Sequence, residues 1–254
     1  MGSSVLGGRV HRRADPARWV CDALRSQLLD GAYDGISLPD EQALGQQFGV
    51  SRNVVRESLD LLRHEGLVER IPGAGTFVVS RKATHGLDRL RGLAESFPGG
   101  PGHPGRVVNE VLVADVVPAS SFVSDQLELP VGTPVLFIER LRLLDQAPLS
   151  LDASYLPADV ARPLLDADLA SEDVFGLLEE RMGLGLASAD LSIEAVAADE
   201  STARLLGMGP GAALLLVARL TRLADGRPVD LEFVRYRGDR LSLTTRLYRR
   251  PEDT

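Results

Sequence analysis

Apolar residues recur at helical spacing through the first quarter of the chain and at strand-like alternation through much of the rest. Asp15 to Leu29 carries Trp19, Val20, Leu24 and Leu28 on one stripe, which predicts a helix. Leu38-Pro39 breaks the chain, Asp40 is placed to cap a second helix, and Glu41 to Phe48 holds Ala43, Leu44 and Phe48 at helical spacing. Gly49 ends that helix and Val50 begins a tight turn. Ser51 is another N-cap candidate, ahead of a run whose Val54, Val55, Ser58, Leu59 and Leu62 share one stripe. After Glu65-Gly66, Leu67 to Ile71 alternates, Pro72 to Gly75 turns and Thr76 to Val79 returns, the signature of a hairpin. Helix, turn, helix, hairpin is the outline of a winged helix-turn-helix.

That outline gives meaning to Arg52, Asn53 and Arg56, which fall at the exposed N-terminal end of the second helix of the pair. Arginine can pair bidentately with guanine and asparagine with adenine in the major groove, while a helix N-terminus favours phosphate oxygens. Charge tempers the picture. Residues 1–80 hold 9 Arg against 10 Asp plus Glu, a net of −1, and the remainder carries about −7 of the chain's −8. Phosphate contact therefore rests on a local patch of Arg52, Arg56, Arg63 and Arg70, joined by Arg9, Arg12 and Arg13 of an N-terminal arm.

Between 80 and 106 the pattern loosens into a Pro/Gly segment, Phe97 to Gly105, read as an interdomain linker. Beyond it Val107 to Val117 alternates like a strand and Ala119 to Leu127 reads as a short helix. The run Gly132 to Leu149 then recurs as Gly211 to Val229, offset by 79 residues and by 80 after one insertion near the turn. Two hairpins of one kind are predicted, each with an Asp-containing turn, a following proline (Pro148, Pro228) and a return strand ending near Tyr155 or Tyr236. Helices at 157–165, 172–182 and 201–206 and a strand at 191–197 lie between or beside them. The fold class is α+β: a winged helix-turn-helix domain (1–80), a linker (81–106) and a second domain (107–254) whose antiparallel sheet has one face covered by helices.

Composition narrows the chemistry. With 44% hydrophobic residues and no apolar run near 18, 254 residues suit two domains with sizeable cores and no membrane span. No signal peptide is evident, and Cys21 is the single cysteine, a small apolar residue of the first helix, so no disulfide or thiolate cluster is expected and the cytoplasm is the natural compartment. All four histidines (His11, His64, His85, His103) precede 107, in arm, linker or beside the recognition helix, and are read as solvated. No Ser/His/Asp triad, His-metal site or cofactor site can be assembled in the second domain. There, Arg140 and Arg142 lie two apart on a strand and share a face, suited to a phosphate or carboxylate. Asp152 and Asp230, at similar points of the two hairpins, can accept from hydroxyl or ammonium groups across a pseudo-symmetric cleft; the alternative is mutual Arg–Asp pairing that merely closes the sheet.

The head motifs, LPDEQ, GVSR, VRESL, EGL and GAGTFV, resemble the DNA-binding domain of the GntR family of bacterial transcription regulators. The resemblance implies contacts to operator DNA from Gln42, Ser51, Arg52, Asn53, Arg56, Gly73, Gly75 and Thr76, with the wing glycine Gly73 approaching the minor groove. Asp40-Glu41-Gln42 replaces the family's Ser-Glu-Arg, so that a usual basic contact is the neutral Gln42, and Ala74 replaces a basic wing residue. The second half, through PVLFIERLRL, SYLPADV, LLEERMGL, IEAVAADE, LLGMGPGAALL and YRGDR, resembles the UTRA effector-sensing domain of the HutC subfamily, similar in fold to chorismate lyase. That resemblance implies effector contacts from Arg140, Arg142, Asp152, Asp230 and Tyr236. Asp173 and Phe175 stand where the family commonly has Ser and, two residues on, Tyr, and the segment before the domain's first strand is shortened to the Pro/Gly linker; both changes remove phosphate donors, and Asp173 repels an anion. A carboxylated or less charged polar ligand, or one with a cationic group, is then as open as a sugar phosphate. The expected protein is a homodimeric, cytoplasmic repressor released from a palindromic double-stranded operator by a small polar or anionic metabolite. An enzyme of chorismate-lyase type fused to a DNA-binding head and an effector-independent repressor are the alternatives.

Overall fold

The computed structural model describes residues 15–29, 31–33, 37–79, 82–97, 99 and 105–248. The chain divides into two compact units, Met1–Lys82 and Ala83–Thr254.

In the first unit, α1 (Pro16–Leu29), α2 (Glu41–Phe48) and α3 (Arg52–His64) precede a two-stranded wing, β1 (Val68–Ile71) and β2 (Gly75–Val78). The predicted caps form. Asp40 Oδ1 accepts from the backbone of Gln42 (2.9 Å) and Ala43 (2.8 Å), Gly49 closes α2 in the left-handed region at φ 66°, and Ser51 Oγ accepts from Val54 N (3.4 Å). Val20, Leu24 and Leu28 of α1 meet Leu44 of α2 and Val55, Leu59 and Leu62 of α3 in one core. Ser58, fully buried, donates to backbone carbonyls of Ala17 (2.8 Å) and Val54 (2.7 Å), so it belongs to the core stripe without leaving a polar atom unpaired. The wing pairs antiparallel from Val68↔Val78 to Ile71↔Gly75, and Leu38 N donates to Thr76 O (2.8 Å), tying the entry to α2 onto the hairpin.

The second unit is built on a six-stranded antiparallel sheet: β4 (Val107–Pro118), β5 (Pro134–Leu144), β6 (Ala147–Pro157), β7 (Leu186–Ala197), β8 (Ala213–Leu223) and β9 (Pro228–Arg237), in the order β4-β5-β6-β9-β8-β7. With α5 (Ser121–Leu127) and α8 (Glu200–Leu205), each half reads strand, helix, strand, strand, and the two halves meet at β6–β9. The hairpin repeat of the sequence is thus a pseudo-two-fold fold. Its offsets of 79 and 80 set Arg140 against Arg219 and Asp152 against Glu232. Asp230, expected to mirror Asp152, corresponds instead to Ser150, two residues earlier on the return strand, because the offset there is 80.

Both faces of this sheet are covered, not one. On one face α5 packs over Val135 and Leu231, and α8 over Leu141, Leu151 and Leu214. The other carries the apolar ends of the strands against α6 (Ala158–Ala161), a 3₁₀ turn (Arg162–Asp166) and α7 (Val174–Gly176) with its π-helical continuation to Arg181. The helices expected at 157–165 and 172–182 are therefore broken ones. The remainder of that face lies under residues 83–97, read from sequence as linker. β3 (Ala83–Gly86) pairs in parallel with β10 (Leu241–Thr244), and α4 (Leu93–Ser96) with Phe97 closes over Leu149, Val234 and Tyr236. Four-residue strands and a one-turn helix have too short a period for their pattern to register in sequence; tertiary packing creates them.

Candidate DNA interface and candidate effector site

In the head, Ser51, Arg52, Asn53 and Arg56 are exposed at the start of α3, as are Gln42 on α2 and Gly73 and Gly75 on the wing, while Thr76 is half-buried. Gln42, Arg52, Gly73, Gly75 and Thr76 line a cleft of about 690 Å³ between the helix pair and the wing; Ser51, Asn53 and Arg56 lie outside that lining. Gly73 turns the wing at φ 77° with no atom within 4 Å of where a Cβ would stand, an open and conformationally permissive tip.

The basic patch is not free. Arg52 donates to Gln42 Oε1, and Arg56 clamps Glu41 through Nε (3.3 Å) and NH2 (2.8 Å), with Arg70 3.8 Å from the same carboxylate. The hydrogen bond from Arg56 holds the Glu41 carboxyl below the usual carboxylate range. Arg63 is occupied by Asp60 at 2.8 Å. Sequence analysis did not single out Glu41, because fifteen residues separate it from Arg56 and only the helix-turn-helix fold brings them together. The arm residues Arg9, Arg12 and Arg13 lie outside the described residues.

In the second unit the strand register puts a polar cluster in the middle of the sheet face beneath 83–97. Arg140 stands opposite Asp152 and Arg142 opposite Ser150, while Ser150 faces Tyr236, Ser154 faces Glu232 and Arg219 pairs with Glu232. Residues directly opposite in antiparallel strands share a face, so Arg140, Arg142, Asp152, Arg219, Glu232 and Tyr236 project together. All of these except Arg219 are buried residues, and the Arg219 side chain is only 13% exposed. Arg142 ion-pairs with Asp152 and reaches Glu232 (3.3 Å) and Asp173 (3.7 Å); Arg219 pairs with Glu232. Arg219 also lies 4.3 Å over the ring of Phe175, a stacked cation. Asp173 caps α7 through Phe175 N (3.1 Å) and receives Ala94 N (3.3 Å) from the covering segment. The sequence missed Arg219 and Glu232, although the repeat offset points to both. It also misread His85, which is buried with Nδ1 2.9 Å from Ser96 Oγ rather than solvated.

Two arginines two residues apart have opposite environments. Arg142 is raised despite its burial, because Asp152, Asp173 and Glu232 surround it. Arg140 is 1% exposed, and none of its three guanidinium nitrogens has a hydrogen-bond partner among the described residues; burial and the neighbouring Arg142 lower it. On the acidic side, burial and the nearby Glu232 push Asp230 up to about 7, and its Oδ1 is likewise unpartnered. Burial raises Asp152 against the pull of Arg142; burial works the same way on Asp173, but Arg142, Arg140 and two backbone N–H groups outweigh it and keep Asp173 low. Burial first, then Arg219 and Arg142, lowers His85. Pairing that merely closes the sheet would satisfy every member, and Arg140 is left out of it.

Among the described residues no group of His, Cys, Asp and Glu is arranged to hold a metal, and no helix is long and apolar enough to cross a membrane.

The description "UTRA domain" fits residues 104–242, and "Bacterial regulatory proteins, gntR family" fits residues 16–78. The chain is 29% identical over 225 residues to the HTH-type transcriptional repressor NagR of Bacillus subtilis (strain 168), covering 87% of this chain and 90% of that one. It is 28% identical over 214 residues to the mannosyl-D-glycerate transport/metabolism system repressor MngR of Escherichia coli (strain K12), covering 83% and 86%. The crystal structure of PhnF from Mycobacterium smegmatis superposes with a TM-score of 0.65 at 26% identity, covering 90% of this chain and 99% of that one. A winged helix-turn-helix followed by a six-stranded antiparallel sheet agrees with these matches, whose family models fit 16–78 and 104–242. The chain belongs to the gntR family of bacterial regulatory proteins, in the branch whose winged helix-turn-helix head is joined to a UTRA domain, and is a ligand-responsive DNA-binding transcription regulator.

Proposed function

We propose that this regulator is a homodimeric repressor whose UTRA unit binds a small polar metabolite with an anionic group, and that binding releases the operator. The observation that carries the reading is Arg140, a buried guanidinium without a hydrogen-bond partner among the described residues. A protein retains so costly a group where a ligand completes it. The covering segment 83–97 gives the route by which the ligand acts: it lies over the cluster, its Ala94 N holds Asp173, and it is where the chain enters the sensing unit from the head. A ligand at Arg140 displaces or reorders this cover, and differential affinity of two cover conformations shifts the population of heads competent for DNA.

On the DNA side, Arg52 and Asn53 read base edges, and Arg56, Arg70 and the wing around Gly73, Gly75 and Thr76 meet the backbone. Gln42 positions Arg52, and Ser51 is spent on its cap. Dimerisation is favoured by the edges of the sheet: β4 exposes Val111, Leu112, Val113 and Val116, and β7 exposes Leu191 and Ile193, on strands that each have one unpaired side. Sequencing genomic fragments retained by the purified protein, with and without metabolite mixtures, tests the proposal. A palindromic motif whose retention falls with one mixture is expected; retention that no mixture alters overturns ligand release.

A further inference from the structure

The atoms left unsatisfied in the buried cluster describe the ligand. Three guanidiniums (Arg140, Arg142, Arg219) face four carboxylates (Asp152, Asp173, Asp230, Glu232), a sum of −1 with every group ionised. Arg142 and Arg219 are occupied by Asp152, Asp173 and Glu232. What remains in the cluster among the described residues is one cationic group, Arg140, with all three nitrogens unused, one carboxylate oxygen outside any ion pair, Asp230 Oδ1, and two single donors, Arg219 Nε and the hydroxyl of Thr221 opposite Asp230. Asp173 already takes the backbone N–H of Phe175 and lies beside Arg142, so a second anion there would meet a fixed carboxylate. A phosphate monoester, with a charge of about −1.5 to −2, would carry the fully ionised cluster to about −2.5 to −3.

We propose that, granted the effector-site reading above, the effector of this chain is a zwitterion of amino-acid type, its carboxylate on Arg140 and its ammonium group on Asp230, rather than a phosphorylated sugar. Such a ligand brings no net charge of its own and satisfies both orphaned groups with charge-assisted pairs. Burial and Glu232 raise Asp230 to about 7 in the empty site, so part of it is protonated near neutrality, and the arriving ammonium group favours the carboxylate. Among the described residues Arg140 and Asp230 make no ion pair with each other, so both are free to pair with a ligand. A cleft of about 290 Å³ walled by His85, Arg91, Ser188 and Arg219 and a void of about 20 Å³ that shares His85 and Arg219 and borders Glu232 and Tyr236 adjoin the cluster; neither is lined by Arg140 or Asp230, so a ligand reaches both only when the cover over the cluster moves.

Calorimetric titration of the full chain tests this with the common L-amino acids and their N-alkylated derivatives. Each binder is compared with its des-amino acid and its decarboxylated amine, and with glucosamine 6-phosphate and N-acetylglucosamine 6-phosphate. At least one zwitterion is expected to bind, with affinity roughly 100-fold lower when either charged group is removed. Arg140→Met should erase the advantage of the zwitterion over its amine, and Asp230→Asn its advantage over the des-amino acid, with circular dichroism confirming the fold of each. A sugar phosphate that binds more tightly than every zwitterion, or no zwitterion binding at all, overturns the ligand class. If that sugar phosphate depends on Arg140, the effector site stands; any ligand that releases DNA with its affinity unchanged in Arg140→Met overturns the site itself.

Discussion

Replacing Arg140 with Met should stabilise the ligand-free protein while abolishing its response to effector. The methionine keeps most of the buried stem and removes a guanidinium that is 1% exposed and has no hydrogen bond among the described residues. Bringing one ion out of water has an effective cost of several kcal/mol, which attraction must repay. For Arg140 it does not: burial and Arg142 outweigh Asp152, Asp173 and Glu232, and the arginine is lowered. Exchange of a poorly paired buried ion for a well-packed apolar side chain gains about 1–4 kcal/mol, which at about 2–4 °C per kcal/mol for a unit of this size raises Tm by about 2–16 °C. Arg142→Met is the control. It strands Asp152 and takes from Asp173 and Glu232 a cation each, leaving Glu232 with Arg219 alone, and should cost about 3–5 kcal/mol. Differential scanning calorimetry of both variants, following the transition of the UTRA unit, reads the difference. Destabilisation by Arg140→Met as large as that by Arg142→Met would refute the reasoning and make Arg140 a fastener of the sheet.

Three further outcomes rest on other parts of the molecule. Glu41→Gln releases Arg56 and Arg70 from a carboxylate beside the recognition helix, so DNA binding measured by fluorescence anisotropy should tighten several-fold at low salt and steepen in its salt dependence; unchanged affinity would mean that neither arginine meets phosphate. Ser58→Ala removes the buried hydroxyl that joins α3 to the start of α1 and should lower stability in urea by about 1 kcal/mol, with a larger loss at the head's own transition than at the UTRA unit's. Asp230→Asn tests the pH dependence. Asp230 is raised from 3.8 to about 7 by burial and Glu232, against Arg219 and Arg140 and with Asp173 adding to the rise. The folded state then holds a proton that the unfolded state releases, so this acid's contribution to stability is present below about 4 and is lost as pH rises toward 7. The variant lacks that loss, and its stability relative to the parent should climb between pH 4 and 7; parallel pH profiles would show that Asp230 is ionised throughout.

Local rules account for most of the head. Asp40, Gly49 and Ser51 are punctuation that any sequence reading can find, and the stripe from Val55 to Leu62 has only one face to bury. The repeat at 79 and 80 residues carries the sheet in the same way, since hairpins are local and their registers follow from alternation and turn. The segment 83–97 was not legible: its strand exists only because Leu241–Thr244 returns beside it from more than 150 residues away. His85 was misread for the same reason. Arg219 and Glu232 were within reach through the repeat, but their spacing alone does not separate a solvated charge from a buried one.

The kinds of element, their order, the pairing of strands within each hairpin and the side chains available to bind DNA and a ligand follow from local sequence, because all of these depend on periods of two to four residues and on chemistry at single positions. Which charges neutralise which is settled by the fold. Arg140 and Arg142 differ in no local respect, yet Arg142 lies among three carboxylates and Arg140 is left unpartnered. That difference arises where strands from the two repeats and the covering segment converge, in a water-poor interior where the strength of each charge depends on every group around it.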